Sequence, residues 1–296
     1  MKLSVLTPTY NRADTLEKLY TSLVLNSYSN LDFEWLIMDD GSTDKTNMLV
    51  QGFINQKIID IKYFKQENKG KMSAMNELVK YATGDIMITC DSDDYFTPDA
   101  FDEIRRHVKL LEENDDTYAL AFLIQDSKGK ISGNEFSEEN HKSSMFDFYY
   151  KERKTGELTL LFKASIRKQY HHKLENGEKF ITEARLYHEM DEKYHVIGIN
   201  KPIMVREYQE DGYSKNIRKV MKENPVGYYH FFKELLEKDL NGVTFKKLLY
   251  IYKHYVLFSI LSGAKNPIFG VDGVGKKAMV LLLYIPGLIA TKYRFK

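Results

Sequence analysis

Short apolar runs alternate along the first half of this chain with stretches in which apolar residues recur every three or four positions. Residues 3–7, 33–38, 59–64, 86–89 and 119–124 are the short runs, unbroken or alternating, of a length suited to strands. Between them Leu16, Leu19, Tyr20 and Leu23, then Met72, Met75, Val79 and Ala82, then Phe101, Ile104, Val108 and Leu111 each mark one face of a helix. A further helix is expected from Lys45. Asn11 or Asp14 is placed to cap the first helix, and Gly84 ends the one before residues 86–89. Thr97 is placed to cap the next, with Pro98 in its first turn.

Strand and helix in repetition predict an α/β fold with a mostly parallel, doubly wound sheet. In such sheets ligands bind at the edge where the strands end. Four polar clusters follow four successive runs, at residues 8–12, 39–44, 66–71 and 91–94. The second half reads less sharply. Residues 125–150 are polar with aromatics and have no clear period. A strand is expected at 158–162, a helix capped by Thr182 and running through Met190, and strands at 194–199 and 203–206. A polar loop at 207–218 and helices near 228–237, 245–261 and 276–290 follow. There is no internal repeat and no low-complexity tract.

The chain has 296 residues, 43% of them apolar, which is enough for one large domain with a smaller appendage. A net charge of +1 gives no general attraction to nucleic acid. The single cysteine, Cys90, rules out an internal disulfide and fits a reducing compartment. The apolar stretch after Met1 is short and broken by Pro8, so no signal peptide is expected and the protein is placed in the cytoplasm. Charge is uneven, however: residues 241–296 hold nine Lys or Arg and one acid, Asp272.

The strand-end clusters carry the candidate chemistry. Asp91-Ser92-Asp93 sets two carboxylates two residues apart in an irregular loop. One of them can face a divalent cation and the other a ribose hydroxyl. Two protein carboxylates suffice where phosphate and water oxygens complete the shell. Alone, such a segment is equally a solvated acidic turn; its place after a buried strand favours a site. Asp40, in Asp39-Asp40-Gly41-Ser42, can accept from the N–H of uracil or thymine, or it and Asp39 cap the next helix. Tyr10 can stack on a base or pack at a strand end. Residues 7–12 replace the glycine-rich turn of a dinucleotide fold, and no phosphate-binding G-x-x-x-x-G-K-[ST] occurs there. Dehydrogenases, phosphate-loop ATPases and nucleotidyltransferases are disfavoured on that ground. His171-His172 has no third ligand at metal spacing and is read as a surface pair.

Thr7-Pro8-Thr9-Tyr10-Asn11-Arg12, Met38-Asp39-Asp40-Gly41-Ser42-Thr43-Asp44, Glu67-Asn68-Lys69-Gly70 with Ser73 and Asn76, and Cys90-Asp91-Ser92-Asp93-Asp94 together resemble the ordered signature of family-2 glycosyltransferases of the GT-A fold. The resemblance covers about the first 100 residues. It implies inverting transfer from a UDP- or dTDP-linked sugar with Mn²⁺ or Mg²⁺, of the kind used in bacterial surface polysaccharides. By that resemblance Asp40 reads the base, Pro8 and Tyr10 line its pocket, and Asn68, Lys69 and Gly70 sit beside the nucleotide. Arg12 and Ser92 belong to the same donor site. Asp91 contacts ribose and sugar, and Asp93 the metal. The alternative is a non-catalytic module that binds a nucleotide-sugar or a cation.

An inverting displacement needs a general base opposite the departing nucleotide. Residues 177–183 resemble the region where relatives place it. Glu183 is the first candidate, in the first turn of a helix whose dipole favours the ionised form; Glu178 is the second. Many relatives have Glu-Asp where this chain has Glu183-Ala184. Lys215, in the polar loop 208–216, is expected to reach the pyrophosphate when the loop folds over the donor. The domain expectation is a catalytic domain at 1–220, with a nucleotide-binding half at 1–100 and an acceptor half at 101–220, followed by a helical extension at 221–296. In that extension residues 278–290 are apolar, interrupted by Pro286-Gly287, and flanked by lysines. Thirteen apolar residues are fewer than the ~20 of a spanning helix. Peripheral contact through residues 245–296 is therefore expected, at the inner face of the membrane, with Tyr250, Tyr252, Tyr255 and Phe258 at the same level. The acceptor is expected to be a glycan or a lipid-linked one. Packing of this tail on protein, or a homo-oligomer, is the other reading.

Overall fold

The structure, a computed structural model, describes residues 1–175, 177–207 and 216–294. The chain divides into two compact units. One comprises Met1–His172 with Leu186–Gln209, and the other Lys173–Arg185 with Glu210–Lys296.

The first unit holds every described strand. In chain order it runs β1 (Lys2–Thr9), α1 (Leu16–Asn26), β2 (Asp32–Asp39), α2 (Thr46–Gln56), β3 (Ile61–Lys65), α3 (Lys71–Tyr81), β4 (Ile86–Thr89) and β5 (Tyr95–Phe96). It continues with α4 (Ala100–His107), α5 (Lys109–Glu113), β6 (Thr117–Gln125), β7 (His141–Ser143), α6 (Met145–Tyr150), β8 (Leu158–Lys163) and α7 (Ala164–Arg167). The boundary between the units falls inside α8 (Glu183–Met190), and β9 (His195–Val205) completes the sheet. The order is β3-β2-β1-β4-β8-β6-β9-β5, with β7 beside β9.

The expected α/β sheet is present, and its parallel character is strongest where the sequence pattern is sharpest. β3, β2, β1 and β4 are mutually parallel, as are β6 and β9. β8 runs antiparallel to both β4 and β6. The reason lies in the aperiodic segment between β6 and β8. Its only helix, α6, has six residues, too few for the crossover that a parallel return requires. The two strands expected at 194–199 and 203–206 are one long strand, β9, with irregular register against β6.

Successive strand residues bury on opposite faces, which is why the runs are largely apolar. Trp35 and Ile37 join Leu16, Leu19 and Val50 in one core, while Leu36 and Met38 join Ala74, Leu78 and Leu160 in the other. Helix α4 starts later than expected: Thr97 donates to Asp99, and Asp99 is the residue before the first turn.

The second unit is helical: α9 (Ile217–Glu223), α10 (Pro225–Glu237), α11 (Phe245–Leu261) and α12 (Val274–Arg294). Its core is aromatic. Phe232 and Tyr228 of α10 stack on Phe258 of α11 at 5.6 and 4.9 Å between ring centres. Tyr252, Tyr255 and Phe258 are thus core residues, which corrects their expected place at a membrane surface. Helix α12 also runs unbroken through Pro286 and Gly287. Gly287 permits close packing on α11, since a Cβ there would lie 2.5 Å from a Val256 methyl.

Candidate active site

Strands β1, β2, β3, β4, β6 and β9 point the same way, so their C-terminal ends share one edge of the sheet. The loops at that edge are laced together. Asn11, at φ +51°, donates its N–H to Ser42 and accepts from the Thr43 N–H at 2.9 Å each. The Arg12 N–H donates to Thr46, and the Ala13 N–H to Asp44. Gly41, at φ +87°, lets the second loop meet the third: a Cβ there would lie 3.0 Å from the Asn68 nitrogen.

Asp40 is buried and organises the third loop. Its Oδ1 accepts from the Lys69 N–H at 2.8 Å and the Gln66 amide at 2.7 Å, and its Oδ2 accepts from the Gly70 N–H at 2.8 Å. One lone pair on Oδ2 remains for another donor. Its neighbour Asp39 is wholly committed to the protein: it accepts from the Ser42 N–H at 2.6 Å and from the Tyr63 hydroxyl. Pro8 is buried in β1 and Tyr10 beside it is exposed, as a stacking ring must be. Asn68 and Lys69 are exposed, and Gly70, at φ +93°, opens α3.

The fourth loop holds the acids. Asp91 Oδ2 accepts from Lys71 Nζ at 2.7 Å, whereas Asp91 Oδ1 is buried without a partner. Ser92 accepts on its carbonyl from the Thr15 hydroxyl, which fixes the loop to α1. Burial, then the charge of Asp91, pushes the Asp93 carboxyl above the usual aspartate range, against the pull of Arg12 and Lys71. Asp94 is buried and receives Arg206 Nε at 3.1 Å; the same guanidinium also binds Glu157. The first unit therefore brings Pro8, Tyr10, Arg12, Asp40, Asn68, Lys69, Gly70, Asp91, Ser92 and Asp93 to one edge. Lys71 and Arg206 belong there too, although the sequence pattern did not single them out. Lys71 follows Gly70 at the helix start, and Arg206 ends an apolar run; both are positions from which a cation faces the strand ends.

A divalent cation fits this edge. Asp91 and Asp93 offer hard oxygen ligands, one of them an unpartnered buried oxygen, and the raised Asp93 carboxyl reflects its burial first and the charge of Asp91 second. Among the described residues no group of three or more His, Cys, Asp or Glu converges, so substrate oxygens must complete any shell. A cleft of about 240 Å³ beside Arg206, lined by Gln125, Asp126, Lys130 and Ser132, is too small for a whole nucleotide-sugar.

One expectation needs correction. His172 is buried rather than exposed. Asn76 clamps its backbone, accepting from the N–H at 2.8 Å and donating to the carbonyl at 2.9 Å. Burial, then Arg167 and Lys71, hold its ring far below the ordinary value, at about 3, so it is neutral. Glu178, in the second unit, accepts the Val226 and Gly227 N–H groups at 2.6 and 2.8 Å. Both oxygens thus bind the N-terminus of α10. Glu183 lies in the first turn of α8, as expected. Lys215 lies outside the described residues.

The profile of glycosyl transferase family 2 matches residues 4–174. An uncharacterized glycosyltransferase of Mycoplasma genitalium is 40% identical over 100 residues, 33% of this chain and 34% of that one. One of Rickettsia conorii is 39% identical over 113 residues, 38% of this chain and 18% of that one. TarS of Staphylococcus aureus, a poly(ribitol-phosphate) beta-N-acetylglucosaminyltransferase, is 33% identical over 95 residues, 32% of this chain and 17% of that one. The matches thus span about a third or less of these relatives' lengths. Among solved structures, residues 1–349 of TarS superpose with a TM-score of 0.60 at 17% identity, covering 99% of this chain and 91% of that one. A mannosyltransferase of Pyrobaculum calidifontis, solved with GDP-Man and Mn²⁺, gives 0.55 at 18% identity, covering 99% and 83%. These likenesses show the GT-A fold. Four laced strand-end loops, a profile match over more than half of the chain and that shared fold agree: the chain belongs to glycosyl transferase family 2.

Proposed function

We propose that this protein is an inverting glycosyltransferase that moves a sugar from a UDP- or dTDP-linked donor to an acceptor hydroxyl. The observation that carries the reading is the buried, unpartnered Asp91 Oδ1 beside Asp93, on the edge where Asp40 holds the 66–70 loop. TarS has been crystallised with UDP and with UDP-GlcNAc, which supports a uridine donor.

Each side chain then has a task. Asp40 offers its remaining lone pair to the N–H of the base, while Pro8 and Tyr10 flank the ring. Asn68, Lys69 and Gly70 border the nucleotide; Arg12 and Lys71 face its phosphates; Asp91 takes ribose and sugar hydroxyls. A Mn²⁺ or Mg²⁺ ion held by Asp93 supplies charge neutralisation for the departing diphosphate. Glu183 accepts the proton of the acceptor hydroxyl as the sugar–oxygen bond to the nucleotide breaks. Lys215 is proposed to close on the pyrophosphate. Residues 1–220 form the catalytic part and 221–296 the extension. The acceptor is a glycan or lipid-linked, used in surface polysaccharide or glycolipid synthesis on the cytoplasmic face of a membrane.

The test is nucleotide-sugar turnover with and without Mn²⁺ or Mg²⁺. UDP-sugar consumption that needs the ion and disappears in Asp93→Ala is expected. Ion-dependent nucleotide binding without turnover of any donor, whatever the acceptor, would instead make the protein a binding module.

A further inference from the structure

The proposed function sets the enzyme at a membrane, and helix α12 has a surface suited to that place. The helix has two faces. Val280 and Gly287 lie on the side toward α11, where Val280 is fully buried. The opposite side is apolar and open to solvent: Leu281, Leu282, Ile285, Leu288 and Ile289 are between 45 and 71% exposed. Their spacing of one, four, seven and eight keeps them on one stripe. Solvated proteins scatter such residues singly; five large aliphatic side chains in one stripe mark a contact surface.

Charge selects the partner. Between Val274 and Arg294 there are three lysines, one arginine and no acid. Lys277 lies at the start of the helix, 5.8 Å from the Phe269 ring, and Phe269 is itself 75% exposed. Lys292 is exposed at the other end. A second copy of the chain would bring the same cations against each other, in either orientation of two such helices. An anionic lipid surface neutralises them and receives the aliphatic stripe. No described helix is long and apolar enough to cross the bilayer, so the contact sought is one along its surface.

We infer that α12 lies flat in the interface of an anionic lipid membrane, with Leu281, Leu282, Ile285, Leu288 and Ile289 in the acyl boundary and Lys277 and Lys292 at the headgroups. The contact residues are thus those of α12, not the buried Tyr252, Tyr255 and Phe258 of α11. Each lysine contributes about fivefold to partitioning, and added salt removes that part.

The experiment is flotation of the full-length protein with vesicles of phosphatidylcholine containing about 30% phosphatidylglycerol, and with pure phosphatidylcholine. Binding to the anionic vesicles, weaker in about 0.5 M salt, is expected. L282E/I285E should reduce it at least tenfold, and K277E/K292E at least about 25-fold. Leu282, Ile285 and Lys292 are exposed and Lys277 is half-buried, and nucleotide binding and soluble donor hydrolysis serve as controls for folding. Loss of vesicle binding with hydrolysis retained therefore separates this inference from the catalytic reading. Equal binding to neutral vesicles overturns the role of charge. A wild-type dimer that L282E/I285E splits, with no flotation, overturns the inference and makes the stripe a self-association face.

Discussion

Replacing Asp40 by asparagine separates the two tasks proposed for this carboxylate, clamping a loop and reading a base. Asp40 Oδ1 holds two hydrogen bonds and Oδ2 one. The introduced amide keeps more of them with its oxygen at the Oδ1 position. Its NH₂ group then faces the Gly70 N–H, donor against donor. A bond to a charged acceptor contributes about 1.5–3 kcal/mol, so about 2 kcal/mol of loop ordering is lost. If that loss falls wholly on the binding-competent loop, nucleotide affinity drops by up to about thirtyfold. Base reading adds a second, distinguishable effect. Uracil presents an N3–H donor, which a carboxylate accepts and an amide NH₂ repels, whereas cytosine presents a bare N3, which the NH₂ can satisfy. D40N should therefore lose UDP more than it loses CDP, and the UDP-to-CDP preference should fall. Calorimetric titration of both nucleotides with Mn²⁺ measures the two effects together. UDP affinity within about twofold of wild type would refute the loop clamp, given that 2 kcal/mol. Equal losses for UDP and CDP would confine Asp40 to the loop and remove it from base recognition.

Further outcomes follow from the same geometry. Asp93→Ala should abolish ion-dependent turnover in a donor-consumption assay; activity near wild type would move the metal elsewhere. Glu183→Gln should leave donor affinity unchanged while kcat falls by ~10²–10⁴, read by calorimetry beside transfer kinetics; a parallel fall in affinity would show that Glu183 is not the base. Glu34, at the edge of the sheet away from the site, is fully buried. Burial raises its carboxyl, but bonds from Lys62, Ser4 and Thr83 outweigh that and lower it to about 2. From the ordinary 4.5, that is worth about 3 kcal/mol of stability above pH 4.5, lost as pH falls from about 4.5 toward 2. Denaturant midpoints should fall across that window more steeply in the wild type than in Glu34→Gln, because lowered carboxyls such as Asp44 titrate in both.

Residues 1–100 were legible in the sequence because their strands are covered on both faces. An unbroken apolar run such as residues 35–38 can then end only in a turn, and the turn carries the acids. The other half was less legible because its elements are short and paired across long separations. β5 has two residues, β7 three, and the register of β9 on β6 slips at Phe122–Leu123. Nothing local in residues 125–150 specifies that arrangement. His171-His172 shows the same limit at one residue: polarity placed both on the surface, yet Asn76, ninety-six positions away, holds His172 inside. Asn76 stood in the family signature without a task, and the clamp gives it one. The tail erred in the opposite direction. Tyr252, Tyr255 and Phe258 have the composition of an interfacial belt, but α11 is buried by α10 and places them in the core.

The electrostatics of the edge explain why its acids are gathered at all. Asp91, Asp93 and Asp94 fall within four positions, and their mutual repulsion opposes folding unless cations intervene. The protein answers two of the three with its own side chains, Lys71 at Asp91 and Arg206 at Asp94. Arg206 also binds Glu157, so it is built into the fold and is a poor candidate for exchange. Lys71 differs. It stands one residue from the loop that Asp40 holds, and it leaves Asp91 Oδ1 open. A lysine in that position suits an anionic ligand: it can stay near Asp91 while a diphosphate arrives, or turn toward the phosphates once a divalent ion relieves the aspartate. Asp93 receives only the more distant pull of Arg12 and Lys71 against its burial and the charge of Asp91, and its carboxyl is raised; burial raises that of Asp94 as well, although Arg206 pairs with it. Arg206 already pairs with Asp94, so under the proposed function Asp93 is the carboxylate expected to hold the metal, where an ion would relieve the charge of Asp91 beside it.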